Sequence, residues 1–134
     1  MSTPLDLSVV VPLYNEEESL PYLVEQLTDA LRPSCERFEL VLVNDGSSDS
    51  TAEVLEQLSH QVHELVAVLL RKNYGQTAAM AAGFEVAQGA VIVSLDGDLQ
   101  NAPADIPMLL AKLREGYDLV DLIPKGYINA VQLE

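Results

Sequence analysis

The amino-acid sequence predicts an α/β fold, in which helices cover both faces of a mostly parallel sheet. Short β-branched apolar runs alternate with longer segments whose apolar residues recur at helical spacing. The runs are also nearly continuous in apolar residues, which is typical of parallel strands buried on both faces. Strict alternation of strand and helix implies right-handed crossovers between parallel strands.

Four apolar runs are predicted to form buried strands. They occupy Leu7–Leu13, Phe38–Asn44, Leu65–Leu70 and Ala90–Asp96. A fifth run begins near Tyr117. The units repeat in architecture but not in sequence, so we do not expect a solenoid.

Two amphipathic helices are predicted between the first three strands. The first ends before Pro33, and its apolar residues share one face: Leu20, Leu23, Val24, Leu27 and Leu31. The second begins in the cluster Ser47–Thr51, where Ser48, Asp49 or Ser50 could cap it. Its apolar face consists of Leu55, Leu58 and Val62.

Two further helices follow the third and fourth strands. The third helix, Thr77–Val86, is rich in alanine and should therefore pack closely against the sheet. The fourth starts near Pro103 and Ala104, with proline in its first turn, and ends at Gly116. Its apolar residues at helical spacing are Ile106, Leu109, Leu110 and Leu113.

Composition bounds the class of protein. The 134 residues suffice for one domain, and a net charge of −14 disfavours nucleic acid and anionic membrane surfaces as partners. Cys35 is the only cysteine, so neither an internal disulfide nor a cysteine-based zinc site is possible, which fits a cytoplasmic location. The apolar runs are too short to span a bilayer, and no secretion leader is apparent.

Polar residues follow each of the four strands. In a parallel α/β sheet, ligands bind outside the carboxyl ends of the strands, where these loops converge. Any one of the loops by itself is best explained as a solvated turn, but four at one edge favour a functional site. The loops are Tyr14–Glu16, Asn44–Asp49, Arg71–Gly75 and Asp96–Gln100.

Asp96 and Asp98 predict a divalent metal site. They flank a glycine directly after a buried strand, so that their like charges repel unless a cation lies between them. Carboxylate oxygens suit Mg²⁺ or Mn²⁺, and Gln100 could add a neutral oxygen. The structural alternative is that Asp96 ends the strand and Asp98 forms an Asx-turn.

The remaining loops suggest contacts with a nucleoside diphosphate. Such a ligand would need a cation beside so acidic a protein. Asp45 is interpreted as an acceptor for a ring N–H of a nucleobase, with a turn or helix cap as its alternative. Arg71 and Lys72 are candidates for a phosphate or sugar contact, or else a solvated strand end. Neither a dinucleotide-binding glycine motif nor a P-loop occurs.

Four segments together resemble family-two glycosyltransferases of the GT-A fold. The segments are VVVPLYNEEESL (9–20), VLVNDGSSDST (41–51), RKNYGQTAAMAAG (71–83) and VSLDGDLQNAPADIP (93–107). Within that family they look most like the branch of dolichol-phosphate mannose synthase and bacterial polyprenyl-phosphate glycosyltransferases, especially in the D-x-D-L-Q form of the metal loop. The fold that the resemblance implies is Rossmann-like.

The resemblance implies transfer of a sugar from a UDP- or GDP-sugar to a polyprenyl or dolichyl phosphate, with inversion and a divalent cation. Carried over by residue, the metal would be held by Asp96, Asp98 and Gln100, and Asp98 would be catalytic. Asp45 would contact the base. The nucleotide-binding residues would be Pro12, Leu13, Tyr14, Asn15, Glu16, Asp45, Ser47, Asn73 and Asp96.

The resemblance covers about residues 7 to 120, and it implies that residues 1–120 are the N-terminal nucleotide-sugar-binding part of a truncated GT-A domain. Residues 121–134 do not align, and the family's acceptor segment is absent. We expect this tail, or a second copy of the chain, to pair with the edge of the fourth strand. A full-length relative would act at the cytoplasmic face of the membrane. The alternatives are a non-catalytic nucleotide-binding or self-associating fragment, and transfer to a saccharide or protein acceptor.

Overall fold

A five-stranded sheet with β1 at its centre organises the chain. The computed structural model describes residues 5–33 and 37–95 and the backbone of 130–133. The elements are β1 (Leu5–Leu13), α1 (Leu20–Leu31), β2 (Phe38–Asn44), α2 (Thr51–Gln61), β3 (Leu65–Leu69), α3 (Gln76–Val86), β4 (Gly89–Ser94) and β5 (Ala130–Leu133). The predicted fourth helix, the run near Tyr117 and Cys35 lie outside the described residues.

The strand order is β3-β2-β1-β4-β5, and the first four strands are parallel. This confirms the predicted fold class. The chain leaves β1 toward β2 and β3 and then crosses back to place β4 on the other side of β1. The strand order therefore reverses between β1 and β4, and such a switch point opens a crevice at the carboxyl ends of the strands.

The tail of the chain pairs with the outer edge of β4. β5 runs antiparallel to β4, with Ala130 opposite Ser94 and Leu133 opposite Val91. This is one of the two arrangements expected for that edge. The other was pairing with a second copy of the chain.

Alternating residues of β1 divide the core into two layers. Leu7, Val9 and Val11 belong to the larger cluster, together with the buried leucines of α1 and Leu55 of α2. Val10 belongs to the smaller cluster, which also contains Ala79 of α3. Successive strand residues point to opposite faces, so these two clusters lie on the two sides of the sheet. The predicted covering of both faces is confirmed.

The helices follow their predicted faces. All five predicted apolar residues of α1 are buried, and the helix ends two residues before Pro33. In α2, Leu55 is buried, whereas Leu58 is partly buried and Val62 lies just beyond the helix. A β-carbon on Gly83 of α3 would stand 2.4 Å from Cγ1 of Val10, so α3 does lie close against the sheet.

One strand departs from the prediction. The sequence predicted that the run beginning at Leu65 is buried on both faces, yet Val66 is 37% and Leu69 is 48% exposed. β3 pairs only with β2 among the described strands, so it has one free edge. An apolar run does not reveal which strand lies at the edge, because strand order is a property of the assembled sheet.

Candidate functional site

Asn15 joins the loop after β1 to the loop after β2. Its Oδ1 accepts hydrogen bonds from the backbone N–H of Ser48 (2.9 Å) and of Asp49 (3.3 Å), and from the Ser48 hydroxyl (3.3 Å). Its own N–H donates to Oγ of Ser47 at 2.9 Å. Asn15 has a φ of 55°, a left-handed conformation that asparagine tolerates better than most residues.

Asp49 and Thr51 extend this connection toward α2. Oδ1 of Asp49 accepts from both N–H and Oγ1–H of Thr51, and Oγ1 of Thr51 accepts from the N–H of Glu16 at 2.9 Å. Burial by itself raises the pKa of Asp49, but the hydrogen bonds from Thr51 and from the backbone N–H groups of Glu17 and Asp49 together outweigh it, and the pKa is lowered. Of the three residues proposed from the sequence, Ser50 is the N-cap of α2 and makes no side-chain cap hydrogen bond. Asp49, one residue earlier, bonds the first helical N–H through its side chain.

Asp45 joins the loop after β2 to the start of α3. The residue is buried, and its two carboxylate oxygens accept hydrogen bonds from the N–H of Tyr74 (2.8 Å) and of Gly75 (3.1 Å). Gly75 immediately precedes the first residue of α3. A negative charge at a helix N-terminus is favourable. Asp45 therefore caps a helix, but the helix is α3 and not the one that follows its own loop.

Gly46 brings the same two loops into backbone contact. Its φ is 62°, and a β-carbon here would stand 2.1 Å from the carbonyl carbon of Lys72 and 2.2 Å from the nitrogen of Asn73. In addition, the N–H of Leu70 donates to the carbonyl of Asn44 at 3.0 Å. The loops after β1, β2 and β3 consequently form one continuous wall at the carboxyl edge of the sheet.

The predicted nucleotide-binding residues differ in accessibility. Pro12 and Leu13 are buried in β1, Ser47 and Glu16 are partly exposed, and Asn73 is exposed. Two tyrosines also reach the surface of the wall. Tyr14 is 47% and Tyr74 is 54% exposed, and Nζ of Lys72 lies 5.2 Å from the centre of the Tyr74 ring.

An acidic cleft of about 340 Å³ opens beside the first two loops. Asn15, Glu16, Glu17, Glu18, Ser19 and Asp49 line it. The hydroxyl of Ser19 donates to Oε2 of Glu16 at 2.6 Å. These carboxylates would repel the phosphates of a diphosphate ligand. Such a ligand would therefore need either a cation or the basic pair Arg71 and Lys72 beside it.

The predicted metal ligands Asp96, Asp98 and Gln100 lie outside the described residues. Within 5–33 and 37–95, no group of three His, Cys, Asp or Glu side chains is placed to hold a metal ion. The same part of the chain contains no helix long and apolar enough to cross a membrane.

The opposite edge of the sheet carries a buried polar network that sequence reasoning missed. The Ser8 hydroxyl donates to Oε2 of Glu39 at 2.6 Å, and the same oxygen accepts from the N–H of Gln88 at 2.7 Å. The N–H of Gly89 donates to Oγ of Ser8 at 2.8 Å. The network ties β1 and β2 to the start of β4. A serine and a glutamate inside otherwise apolar strands were the available signal.

An ion pair lies near the same edge. Arg32 donates to both carboxylate oxygens of Glu64, each at 3.0 Å. The Arg32 hydrogen bond holds the pKa of Glu64 below its ordinary value, and the same bond raises the pKa of Arg32. His60 and His63 are exposed.

Comparison with known proteins gives consistent matches. The family model "Glycosyl transferase family 2" matches residues 8–132. The undecaprenyl-phosphate 4-deoxy-4-formamido-L-arabinose transferase of Photorhabdus laumondii is 49% identical over 115 residues, which are 85% of this chain and 35% of that protein. The transferase of the same name from Pectobacterium carotovorum is 49% identical over 119 residues, 88% of this chain and 36% of that protein.

Two solved structures share the fold. S. aureus TarS 1-349 in complex with UDP superposes with a TM-score of 0.71 at 26% identity, over 83% of this chain and 32% of TarS 1-349. The mannosyltransferase PcManGT from Pyrobaculum calidifontis, in complex with GDP-Man and Mn²⁺, gives 0.70 at 21% identity, over 87% and 34% of the two chains. The present chain thus spans about a third of the length of each of these relatives.

Proposed function

The chain belongs to glycosyl transferase family 2, and from that premise we propose that it forms the donor-binding part of a polyprenyl-phosphate glycosyltransferase. The donor is a UDP- or GDP-sugar, and the acceptor is a polyprenyl phosphate such as undecaprenyl phosphate. Transfer inverts the configuration at the anomeric carbon. The acceptor class is proposed from the transferases that are 49% identical to this chain.

One observation carries the proposal. The loops after β1, β2 and β3 are hydrogen-bonded and packed into a single wall beside the switch point between β1 and β4. A crevice at such a switch point is where open α/β sheets bind nucleotides. The wall has exposed aromatic side chains, Tyr14 and Tyr74, and exposed polar groups that could contact a base and ribose.

Each residue of the wall has a proposed role. Asp45 accepts a hydrogen bond from the base, since each carboxylate oxygen has a second lone pair beyond the one used by Tyr74 or Gly75. Tyr14, Glu16, Ser47 and Asn73 contact the nucleotide. The remaining proposed nucleotide-binding residues are Pro12, Leu13 and Asp96. Asn15, which the family resemblance places among them, is assigned instead to holding the loop after β2.

A divalent cation, Mg²⁺ or Mn²⁺, is proposed on Asp96, Asp98 and Gln100, whose oxygens suit either ion. Bound there, it would stabilise the charge that develops on the departing diphosphate. Asp98 is the proposed catalytic residue because it would hold that cation. The acidic cleft and the net charge of −14 support a requirement for a cation between the protein and the diphosphate.

The acceptor itself reduces the demand for a catalytic base. A polyprenyl phosphate is already anionic near neutral pH, so it needs positioning more than deprotonation. The second candidate function is donor binding without transfer, since the contacts among the described residues build the wall beside which a donor would bind.

Titration calorimetry with UDP and with GDP, each with and without Mn²⁺, tests the proposal. Wild type should bind one nucleotide more tightly than the other and only with the metal. Asp98→Ala should lose that binding, while Glu56→Ala, which removes an exposed carboxylate of α2, should retain it. If neither nucleotide binds in any metal, the proposed donor site is wrong and self-association should be measured instead by sedimentation.

A further inference from the structure

Two independent features converge on Asn15. Its backbone is in the left-handed region with a φ of 55°, and it is the only non-glycine residue of the described ranges with a positive φ. Its Oδ1 accepts from the N–H groups of Ser48 and Asp49, 33 and 34 residues further along the chain. A side chain in the usual conformation would leave the loop in a different direction.

We propose that Asn15 is a positioning residue, which sets the second loop for nucleotide binding without itself contacting the nucleotide; this rests on the proposed function. The side-chain oxygen that could meet a ligand is already used by Ser48 and Asp49. What Asn15 supplies is the placement of the segment that follows Asp45. Its contribution to affinity is therefore indirect.

A chain of hydrogen bonds carries this placement toward Asp45. The N–H of Asn15 donates to Oγ of Ser47, and the Ser47 hydroxyl donates in turn to Oδ1 of the buried Asn44. Asn44 is the last residue of β2 and directly precedes Asp45. Loss of the Oδ1 contacts would free this turn at Ser48 and Asp49, whereas the bond from the backbone N–H of Asn15 to Ser47 does not depend on the side chain.

Three substitutions separate the acceptor oxygen of Asn15 from its positive φ. Asn15→Ala removes the acceptor and also disfavours a positive φ. Asn15→Gly favours the φ but still lacks the acceptor. Asn15→Asp retains an acceptor at the same place and tolerates the left-handed region. A positioning role through Oδ1 predicts that the aspartate variant alone keeps the wild-type protection of the Ser48 and Asp49 amides.

Two measurements on the whole chain decide the inference. The first is hydrogen exchange of the Ser48 and Asp49 amides by NMR, without nucleotide. We expect exchange about fivefold faster or more in Asn15→Ala and Asn15→Gly, near wild type in Asn15→Asp, and unchanged core amides of β1. The second is the affinity for UDP and GDP with Mn²⁺, in which the first two variants should bind about fivefold more weakly or worse.

The outcomes separate this inference from the proposed function. Equal exchange and equal affinity in Asn15→Ala and wild type would overturn the inference. So would rescue by glycine but not by aspartate, because the backbone conformation would then suffice. If wild type binds neither nucleotide, the proposed function fails, and the exchange measurement by itself still supports or overturns the connection between the two loops.

Discussion

Gly46 lies directly against the backbone of Lys72. A β-carbon at Gly46 would stand 2.1 Å from the Lys72 carbonyl carbon, closer than any two non-bonded carbons can approach. Contacts of this kind, between segments that lie far apart in sequence, convert three separate loops into one wall. We therefore expect substitutions at these contacts to change the stability of the fold.

Gly46→Ala should destabilise the fold strongly. Alanine disfavours the positive φ of this position, and its β-carbon would overlap the backbone of Lys72. We therefore expect a loss of about 3 kcal/mol or more in unfolding free energy. Gly75→Ala is the matched control, since Gly75 also has a positive φ but no atom of the described residues lies within 4 Å of the added carbon. Urea denaturation should show the larger loss at Gly46, and equal losses would contradict the close approach.

Two buried serines should respond oppositely to alanine. Among the described residues, Oγ of Ser94 has no hydrogen-bond partner, whereas Oγ of Ser8 bridges Glu39 and Gly89. Ser8→Ala should cost about 1 to 3 kcal/mol, because it removes one of the two hydrogen bonds to Oε2 of the buried Glu39 and takes the acceptor away from the N–H of Gly89. Ser94→Ala should leave stability unchanged or raise it. Thermal and urea denaturation of both variants check this, and a clear loss in Ser94→Ala would show that its hydroxyl has a partner.

Asp45→Asn should loosen the start of α3. An amide offers one acceptor oxygen in place of two and turns a donor toward the Tyr74 or Gly75 N–H, and it also removes a negative charge from the helix N-terminus. We expect a loss of about 1 to 3 kcal/mol. Asp29→Asn, at an exposed position of α1, is the control and should change little. A stable Asp45→Asn protein that fails to bind nucleotide would instead favour a purely ligand-binding carboxylate.

The Arg32–Glu64 pair should make stability dependent on pH in the acid range. The pKa of Glu64 is lowered from 4.5 by the Arg32 hydrogen bond, so the folded state favours the carboxylate. Its contribution is fully present above the unfolded pKa and is lost as the pH falls through the lower folded pKa. Arg32 stays charged throughout this range.

Glu64→Gln isolates this effect. Because Arg32 is half exposed, the variant should be less stable than wild type by at most about 1 kcal/mol at pH 7. The difference should shrink as the pH falls below 4.5 and vanish once the pH lies below the lowered pKa of Glu64 in the folded state. Asp49 also has a lowered pKa, but it titrates in both proteins and cancels in the comparison. A difference that stays constant with pH would rule out the ion pair as its source.

Much of the fold was predictable because apolar periodicity is a local property. β2 begins and ends at the predicted residues, α1 buries its predicted face, and α3 starts one residue before its predicted start. The strong exposure of β3 was not predictable, since its composition resembles that of a central strand. Only the assembled order of strands places it at an edge.

The site was predictable in location but not in its internal contacts. Tyr14, Asp45 and Lys72 follow the carboxyl ends of three parallel strands, which lie at one edge of a sheet. The sequence by itself therefore determined the location of the site. It also carried the family resemblance. The hydrogen-bond partners of Asp45 and Asn15 lie about 30 residues away in sequence. No local sequence pattern predicts which distant N–H groups a carboxylate or an amide will bind. Only the tertiary structure decided those pairings, because they depend on how closely packing brings separate loops together.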